Sequence, residues 1–322
     1  MKAIRFEKTG GPEVLQYEDI ELLPPANGEV RVRHTAIGVN FIDTYHRSGL
    51  YKLPLPSGLG SEAAGVVDAL GEGVTALKKG DRVAYAGTLG AYAQANNVPA
   101  DKLVKLPDGV SDEVAAAAML KGMTAQYLLM RTYAVNPGET ILWHAAAGGV
   151  GTIAAQWAKH LGAHVIGTVG SDEKVALAKE NGCKHVLNLA KDDWVKRARE
   201  LTNGDGVPVV YDSIGKETWA GSLDCLAVRG MMVSFGNASG PVPAFEPGIL
   251  AAKGSLYVTR PTLFSYTRNA KELQETADDL FAVLASGAVK IHINQRFKLA
   301  DAAKAHEALH SRGTTGATIL LP

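Results

Sequence analysis

Cysteine is nearly missing from this chain, whose 322 residues include only Cys183 and Cys225. Two thiols cannot build a disulfide framework or a four-cysteine zinc site, and their scarcity suits a reducing compartment, the cytoplasm. Net charge is missing too, with 33 Lys and Arg against 33 Asp and Glu. No run of like charge stands out that could track a phosphate backbone, so nucleic acid is not an expected partner. The opening Met1-Lys2-Ala3-Ile4-Arg5-Phe6-Glu7 mixes charged and apolar residues and lacks the apolar core of a signal peptide, so export is not expected. Only residues 140–158 run long enough without an acid, Lys or Arg to suggest a membrane span. Gly148, Gly149 and Gly151 would weaken such a helix at its centre. The β-prone Ile141-Leu142-Trp143 ahead of them argues for a strand, a turn and a helix, and no membrane partner is expected.

What is present is a core-forming composition, 46% hydrophobic and 20% charged, in a chain too long for one ordinary core. Two domains follow as the starting expectation. Residues 29–33 alternate apolar and charged side chains behind the turn formers Pro24-Pro25 and Asn27-Gly28, and residues 63–67 and 81–85 read as further strands. The first hundred residues are therefore expected to form a mostly antiparallel, barrel-like region. Ser111-Asp112-Glu113-Val114 is a helix start with a serine cap and acids facing the dipole, and a second helix is expected from Thr124 to about Ala134.

Beyond Asn136-Pro137-Gly138, short apolar strands alternate with helix-length stretches, as in parallel βαβ units. The expected strands are 141–145, 164–169, 185–188, 209–212, 231–235 and 256–258. After Pro261 the alternation stops, and a helix over about 269–285 leads to a tail ending in a strand at 318–321. The fold class is thus α/β: a doubly wound parallel-sheet (Rossmann) domain, 124–264, inserted into a discontinuous, mostly antiparallel barrel-like domain of 1–123 and 265–322. Ligands are expected in the cleft of such an arrangement.

Between the first parallel strand and its helix lies Ala145-Ala146-Ala147-Gly148-Gly149-Val150-Gly151. Aligned to G-x-G-x-x-G, it places Ala146, Gly148 and Gly151 at the fingerprint positions, with Gly149 and Val150 between the last two. Gly148 lets the backbone approach a pyrophosphate, Gly151 lets the helix pack on the sheet, and the helix N-terminus offers N–H groups and partial positive charge to the anion. The strand, turn and helix context points to dinucleotide binding.

Over its whole length the chain resembles the zinc-free, zeta-crystallin-like quinone oxidoreductases of the medium-chain dehydrogenase/reductase superfamily, whose barrel-like domain is GroES-like. The residues carrying the resemblance are Gly10-Gly11-Pro12-Glu13-Val14-Leu15, Gly38-Val39-Asn40-Phe41-Ile42-Asp43, Ser48-Gly49-Leu50-Tyr51, Gly60-Ser61-Glu62-Ala63-Ala64-Gly65, the glycine turn with His144, and Tyr211-Asp212-Ser213-Ile214-Gly215. The resemblance implies an enzyme, an NADPH:quinone oxidoreductase taking quinones or similar conjugated carbonyl compounds, and a homodimer. It implies that zinc-dependent relatives carry a cysteine near Asn40 and a histidine near Ser61. An amide and a hydroxyl are poor zinc ligands, so no metal site is expected, and acceptors already electrophilic by conjugation are favoured.

By the same resemblance Asn40, Tyr45 and Tyr51 fall on the nicotinamide and substrate side, orienting more than reacting. Thr124 falls near the nicotinamide ribose, and Phe235, Gly236 and Asn237 run along the cofactor. Lys174 and Arg312 fall at the 2′-phosphate, close to Ser171, and Leu189 stands where the family often has a tyrosine. Residue pattern adds to this: the strand end Gly167-Thr168-Val169-Gly170-Ser171 lacks the acid with which NAD sites hold the ribose hydroxyls, while Asp172 and Glu173 suit the first turn of the next helix.

His306-Glu307-Ala308-Leu309-His310 matches the zinc-protease pattern H-E-x-x-H, but residues 311–322 offer no third ligand, and an amphipathic helix face is the better account. His46 is expected to be a solvated loop histidine rather than a proton donor. Two other functions remain open: an NADPH-dependent reductase of the double bond in 2-alkenals or enones, and a non-enzymatic, NADPH-responsive RNA-binding or structural protein.

Overall fold

The computed structural model describes residues 1–311 and 313–322; Arg312, expected at the 2′-phosphate, lies outside the described residues. The chain divides into two compact units. One comprises Met1–Met123, Thr267–Ala285 and Ile291–Pro322, the other Thr124–Tyr266 and Ser286–Lys290.

The second unit is built on a six-stranded parallel sheet. Its strands in chain order are Thr140–Trp143, His164–Val169, Cys183–Asn188, Val207–Asp212, Leu226–Ser234 and Tyr257–Thr259. Counted that way, their spatial order is 3-2-1-4-5-6, with Thr140–Trp143 at the reversal point, which is where doubly wound sheets bind ligands. The first strand stops at Trp143 because Ala145 takes a left-handed φ of 53°, which turns the chain out of the sheet. Trp143 stacks on Tyr211 of the neighbouring strand at 4.6 Å between ring centroids. Both rings are fully buried, and each adds roughly 1.5–3 kcal/mol of hydrophobic stabilisation. Lys290 and Gln156 exchange two hydrogen bonds of 2.9 and 3.0 Å, tying the short return Ser286–Lys290 to the helix Gly149–His160.

Where two helices were expected after Ser111, one runs from Asp112 to Tyr127 and continues as a π-helical turn, Leu128–Thr132. Val114 N–H reaches the Ser111 hydroxyl at 3.3 Å, as the capping signal implied. Gly122 does not break the helix. A Cβ there would lie 2.5 Å from Leu280 Cδ1, so the glycine makes room for the packing of helix Ala270–Ala285.

The first unit holds a three-stranded antiparallel sheet and a seven-stranded, mostly antiparallel one. In the latter, Ile293–Lys298, Ala317–Leu321, Glu29–Val39, Glu62–Leu70, Arg82–Ala86 and Val104–Lys105 lie side by side, with Ala95–Pro99 also paired to Glu29–Val39. The tail strand pairs antiparallel with the end of Glu29–Val39, Thr318 opposite Val39 and Leu320 opposite Ile37. That pairing fixes where the chain leaves the sheet, at Asn40. No helix among the described residues is long and apolar enough to cross a membrane.

Candidate functional site

In the second unit the chain leaves strand Thr140–Trp143, turns, and enters helix Gly149–His160 with Gly148 in an extended N-cap conformation. Gly151 is required by space: a Cβ there would sit 2.3 Å from the Ala145 carbonyl oxygen. At Gly148 a Cβ would still stand 3.2 Å from the same carbonyl oxygen, and Gly148, Gly149 and Val150 are half-exposed, so the turn is accessible to a ligand. First-turn amides have no acceptor within their own helix, and this 12-residue helix aims them and its positive dipole end at the turn. Ala146 is buried, donating its N–H to Thr168 at 2.9 Å. Strand Gly167 makes space for it, since a Cβ there would come within 2.7 Å of Ala146 Cβ. These residues fit a dinucleotide pyrophosphate.

Directly ahead of the turn His144 is wholly buried, its Nδ1 2.8 Å from Thr168 Oγ1 and its Nε2 2.9 Å from Ser222 Oγ. Ser222 donates to Asp212 Oδ2 at 2.9 Å. Having spent its only proton there, it must accept from His144 Nε2–H, and Thr168 must donate to Nδ1. Burial lowers the His144 pKa against the opposing pull of Asp212, so the ring is a neutral Nε2–H tautomer. Asp212 also takes the Thr218 hydroxyl at 2.7 Å and the amides of Ile214 and Gly215 at 2.8 and 3.0 Å. The network joins the ends of three adjacent strands around the turn. His144 and Asp212 stood within the family-like segments, yet neither had been given a role.

At the end of the second strand, Ser171 caps the short turn Asp172–Lys174 and bonds Glu173, which lowers the Glu173 pKa. Asp172 is held by Asn188 at 2.6 Å and by Lys191, so both acids are engaged in local structure. Lys174 is half-buried at the end of the same turn, and Leu189 follows strand Cys183–Asn188, its N–H on Val169 at 2.9 Å. Thr124 is 8% exposed. Phe235 packs on Trp143 at 5.5 Å and donates its N–H to Asp212. Gly236 is sterically required, a Cβ there meeting the Ser213 carbonyl oxygen at 2.5 Å, and Asn237 follows, half-buried.

In the first unit Asn40 is the N-cap of helix Phe41–Ser48 and is 5% exposed. Its Nδ2 donates to Glu62 Oε2 at 2.8 Å, and its backbone N–H donates to Asp43 Oδ2 at 2.9 Å. Glu62 is wholly buried and is compensated by Lys121 Nζ at 3.0 Å and the Leu120 N–H at 2.7 Å. Gly38 allows this, because a Cβ there would lie 2.1 Å from Glu62 Oε2. Tyr45 and Tyr51 come together, ring centroids 5.2 Å apart, with the Tyr51 N–H on the Tyr45 carbonyl at 3.1 Å. Phe41 and His46 flank them at 6.4 and 6.1 Å, giving an aromatic cluster beside Asn40 in which Phe41 is exposed and the other three rings are half-buried.

His46 sits on the helix, not in a solvated loop, and its buried Nδ1 has no partner among the described residues. Burial lowers its pKa, which makes it a poor proton donor at neutral pH. The two histidines of H-E-x-x-H part company: His310 is exposed, whereas His306 is buried between Arg47 and Tyr92, 3.0 Å from each. Tertiary packing against helix Phe41–Ser48 draws His306 inward, so the pair does not share the amphipathic face expected of it.

Zinc does not fit here. Asn40 presents an amide already bonded to Glu62, and Ser61 a buried hydroxyl, neither of which is a zinc donor. Among the described residues no group of three or more His, Cys, Asp or Glu side chains could hold a metal ion.

Residues 149–282 match the family described as zinc-binding dehydrogenase, and residues 26–108 match the alcohol dehydrogenase GroES-like domain. The chain is 58% identical to a quinone oxidoreductase of Pseudomonas aeruginosa, over 100% of this chain and 99% of the relative. It is 47% identical to a 2-haloacrylate reductase of a Burkholderia species, over 98% of each. Among solved structures, the Escherichia coli quinone oxidoreductase complexed with NADPH superposes with a TM-score of 0.99 at 53% identity, covering 100% of both chains.

Proposed function

The chain belongs to the zinc-free quinone oxidoreductases of the medium-chain dehydrogenase/reductase superfamily, and we propose that it passes reducing equivalents from NADPH to quinones or similar conjugated carbonyl acceptors without a metal. One observation carries this reading: an intact dinucleotide turn, half-exposed at Gly148, accompanies a neutral amide, pinned by Glu62, where a metal ligand would have to stand. Bound NADPH supplies the hydride. The protein contributes position and electrostatics.

The amides of Gly149, Val150 and Gly151 and the helix dipole hold the pyrophosphate, with Ala146 and Gly148 shaping the turn. Thr124, Phe235, Gly236 and Asn237 line the cofactor toward its nicotinamide end. Ser171 and Lys174 attend the 2′-phosphate, joined by Arg312. Asn40 holds the nicotinamide and, with Tyr45 and Tyr51, orients a flat acceptor, for which an aromatic cluster is a suitable face. With both thiols buried and pushed up to about 12 by that burial, the chain suits the cytoplasm. It works as a homodimer in which the edge strand Tyr257–Thr259, where Tyr257 is 58% exposed, pairs with its symmetry mate.

The test is steady-state NADPH oxidation with a benzoquinone and a 2-alkenal side by side. Turnover on the quinone with little on the alkenal is the expected result. The reverse would make the protein a double-bond reductase, and tight NADPH binding with turnover on neither would make it a non-enzymatic binding protein.

A further inference from the structure

Helix Phe41–Ser48 carries a buried carboxylate, Asp43, and a buried guanidinium, Arg47, one turn apart. Such a pair is spaced for a direct ion pair, yet they are joined instead through two residues from elsewhere in the unit. Arg47 Nη1 lies 3.0 Å from His306 Nδ1, His306 Nε2 lies 3.0 Å from the Tyr92 hydroxyl, and that hydroxyl donates to Asp43 Oδ2 at 3.0 Å. Every proton in this line is assigned by chemistry. Arginine only donates, so Nδ1 accepts and the imidazole proton stands on Nε2; Nε2–H donates to the tyrosine oxygen, and the tyrosine proton goes to the carboxylate. Burial, helped by Arg47, pushes the His306 pKa down to about 3, which keeps the ring neutral as the line requires.

The line ends on the oxygen that also takes the Asn40 backbone N–H, while Asp43 Oδ1 is buried with no partner among the described residues. Asn40 is therefore held by two carboxylates, its main chain by Asp43 and its side chain by Glu62. We propose that Asp43, Tyr92 and His306 are positioning residues for Asn40, and that Asp43 works ionised, so that acid slows the reductase by loosening Asn40. A neutral carboxyl is a weaker acceptor for the Asn40 N–H and forfeits the attraction of a carboxylate to the helix N-terminus. The groups facing Asp43 from the surrounding elements are Tyr92, which with Lys121 favours its ionised form, and Glu62, which opposes it. Arg47 and His306 act through Tyr92. Burial outweighs the favourable contacts and pushes Asp43 up to about 7, which brings its titration into the working range.

The proposal rests on the reductase reading, and its test is arranged so that the two can fail separately. Asp43→Asn is the informative variant: both hydrogen bonds land on one oxygen, so an amide oxygen keeps both while the charge is lost. kcat/KM for a quinone and the NADPH dissociation constant are measured from pH 5.5 to 8.5 in wild type, D43N and Y92F, with melting temperatures alongside. The wild-type to D43N ratio of kcat/KM should rise about ten-fold with pH, the difference between a charged and a neutral acceptor, with a midpoint near 7. In Y92F, which loses a donor to the carboxylate, that midpoint should move to higher pH.

The melting temperatures report Asp43 without reference to activity. A carboxyl whose pKa is raised by folding stabilises the fold fully below its unfolded value and ceases to do so as pH rises through about 7. D43N should therefore gain stability relative to wild type between pH 5.5 and 8. A ratio flat with pH, or a Y92F midpoint unmoved, overturns the proposal. Absence of quinone turnover in wild type overturns the reductase reading instead, and the pH dependence of NADPH affinity then decides on Asp43 in the same way.

Discussion

Lys121→Met isolates the charge that sustains the Asn40 anchor. Glu62 is wholly buried and Lys121 is 5% exposed, with 3.0 Å between Lys121 Nζ and Glu62 Oε2. Methionine keeps most of the lysine stem's packing and removes only the ammonium. The carboxylate then retains the Asn40 amide and the Leu120 N–H but has no cation against it. Breaking one side of a buried pair costs roughly 3–5 kcal/mol, because it strands a charge in low dielectric. A surface pair of the same length would cost under about 1 kcal/mol. At about 2–4 °C of melting temperature per kcal/mol for a unit of this size, the variant should melt some 6–20 °C lower. Glu62→Gln in the same background removes the stranded charge, leaving an amide pair that Asn40 satisfies by turning its own amide over. Most of the lost stability should return, although quinone turnover should not, because Asn40 then presents the opposite polarity. Calorimetry or circular dichroism melts of the two singles and the double complete the cycle. A K121M loss below about 1 kcal/mol, or a double variant no more stable than K121M, would refute the view that this pair is held by buried charge.

Lys174→Ala should weaken NADPH roughly five- to thirty-fold, the worth of a partly screened lysine–phosphate contact, while NADH barely responds; equal losses for both in a fluorescence titration would remove Lys174 from the 2′-phosphate. Gly151→Ala should raise the KM for NADPH at least ten-fold and cost about 1–3 kcal/mol of stability, because its Cβ would meet the Ala145 carbonyl oxygen at 2.3 Å; normal NADPH kinetics would show that the turn does not bind pyrophosphate. Tyr257→Lys, on an edge strand where this residue is 58% exposed, should yield monomers in sedimentation at micromolar concentration, and an unchanged mass would place the interface elsewhere. Chelators should leave quinone turnover intact, and stoichiometric zinc whose removal abolishes activity would contradict the assignment of Asn40.

The alternation of short apolar runs with helix-length stretches was enough to locate all six parallel strands; burial on both faces gives the inner strands a continuous apolar signature that needs no partner to be read, while the edge strand at Tyr257, 58% exposed, was located by the alternation itself. The glycine turn was legible for a similar reason: its signal is local, with Gly151 demanded by close approach to the Ala145 carbonyl oxygen within seven residues of chain. Local sequence also told against a metal at Asn40 and Ser61, since ligand chemistry is a property of side-chain type. It misjudged the helix boundary after Ser111, expecting a second helix from Thr124 where one helix runs from Asp112 to Tyr127, with Gly122 packed under Leu280. Tertiary structure alone decided the polar networks. Asn40, Glu62 and Lys121, or Arg47, His306, Tyr92 and Asp43, are brought together from segments up to 259 residues apart, and no periodicity links them. A buried histidine or carboxylate has the same letter as a solvated one, so what separates His306 from His310, or Asp43 from Asp172, is the dielectric and the donors around each, which exist only once the chain has closed over them.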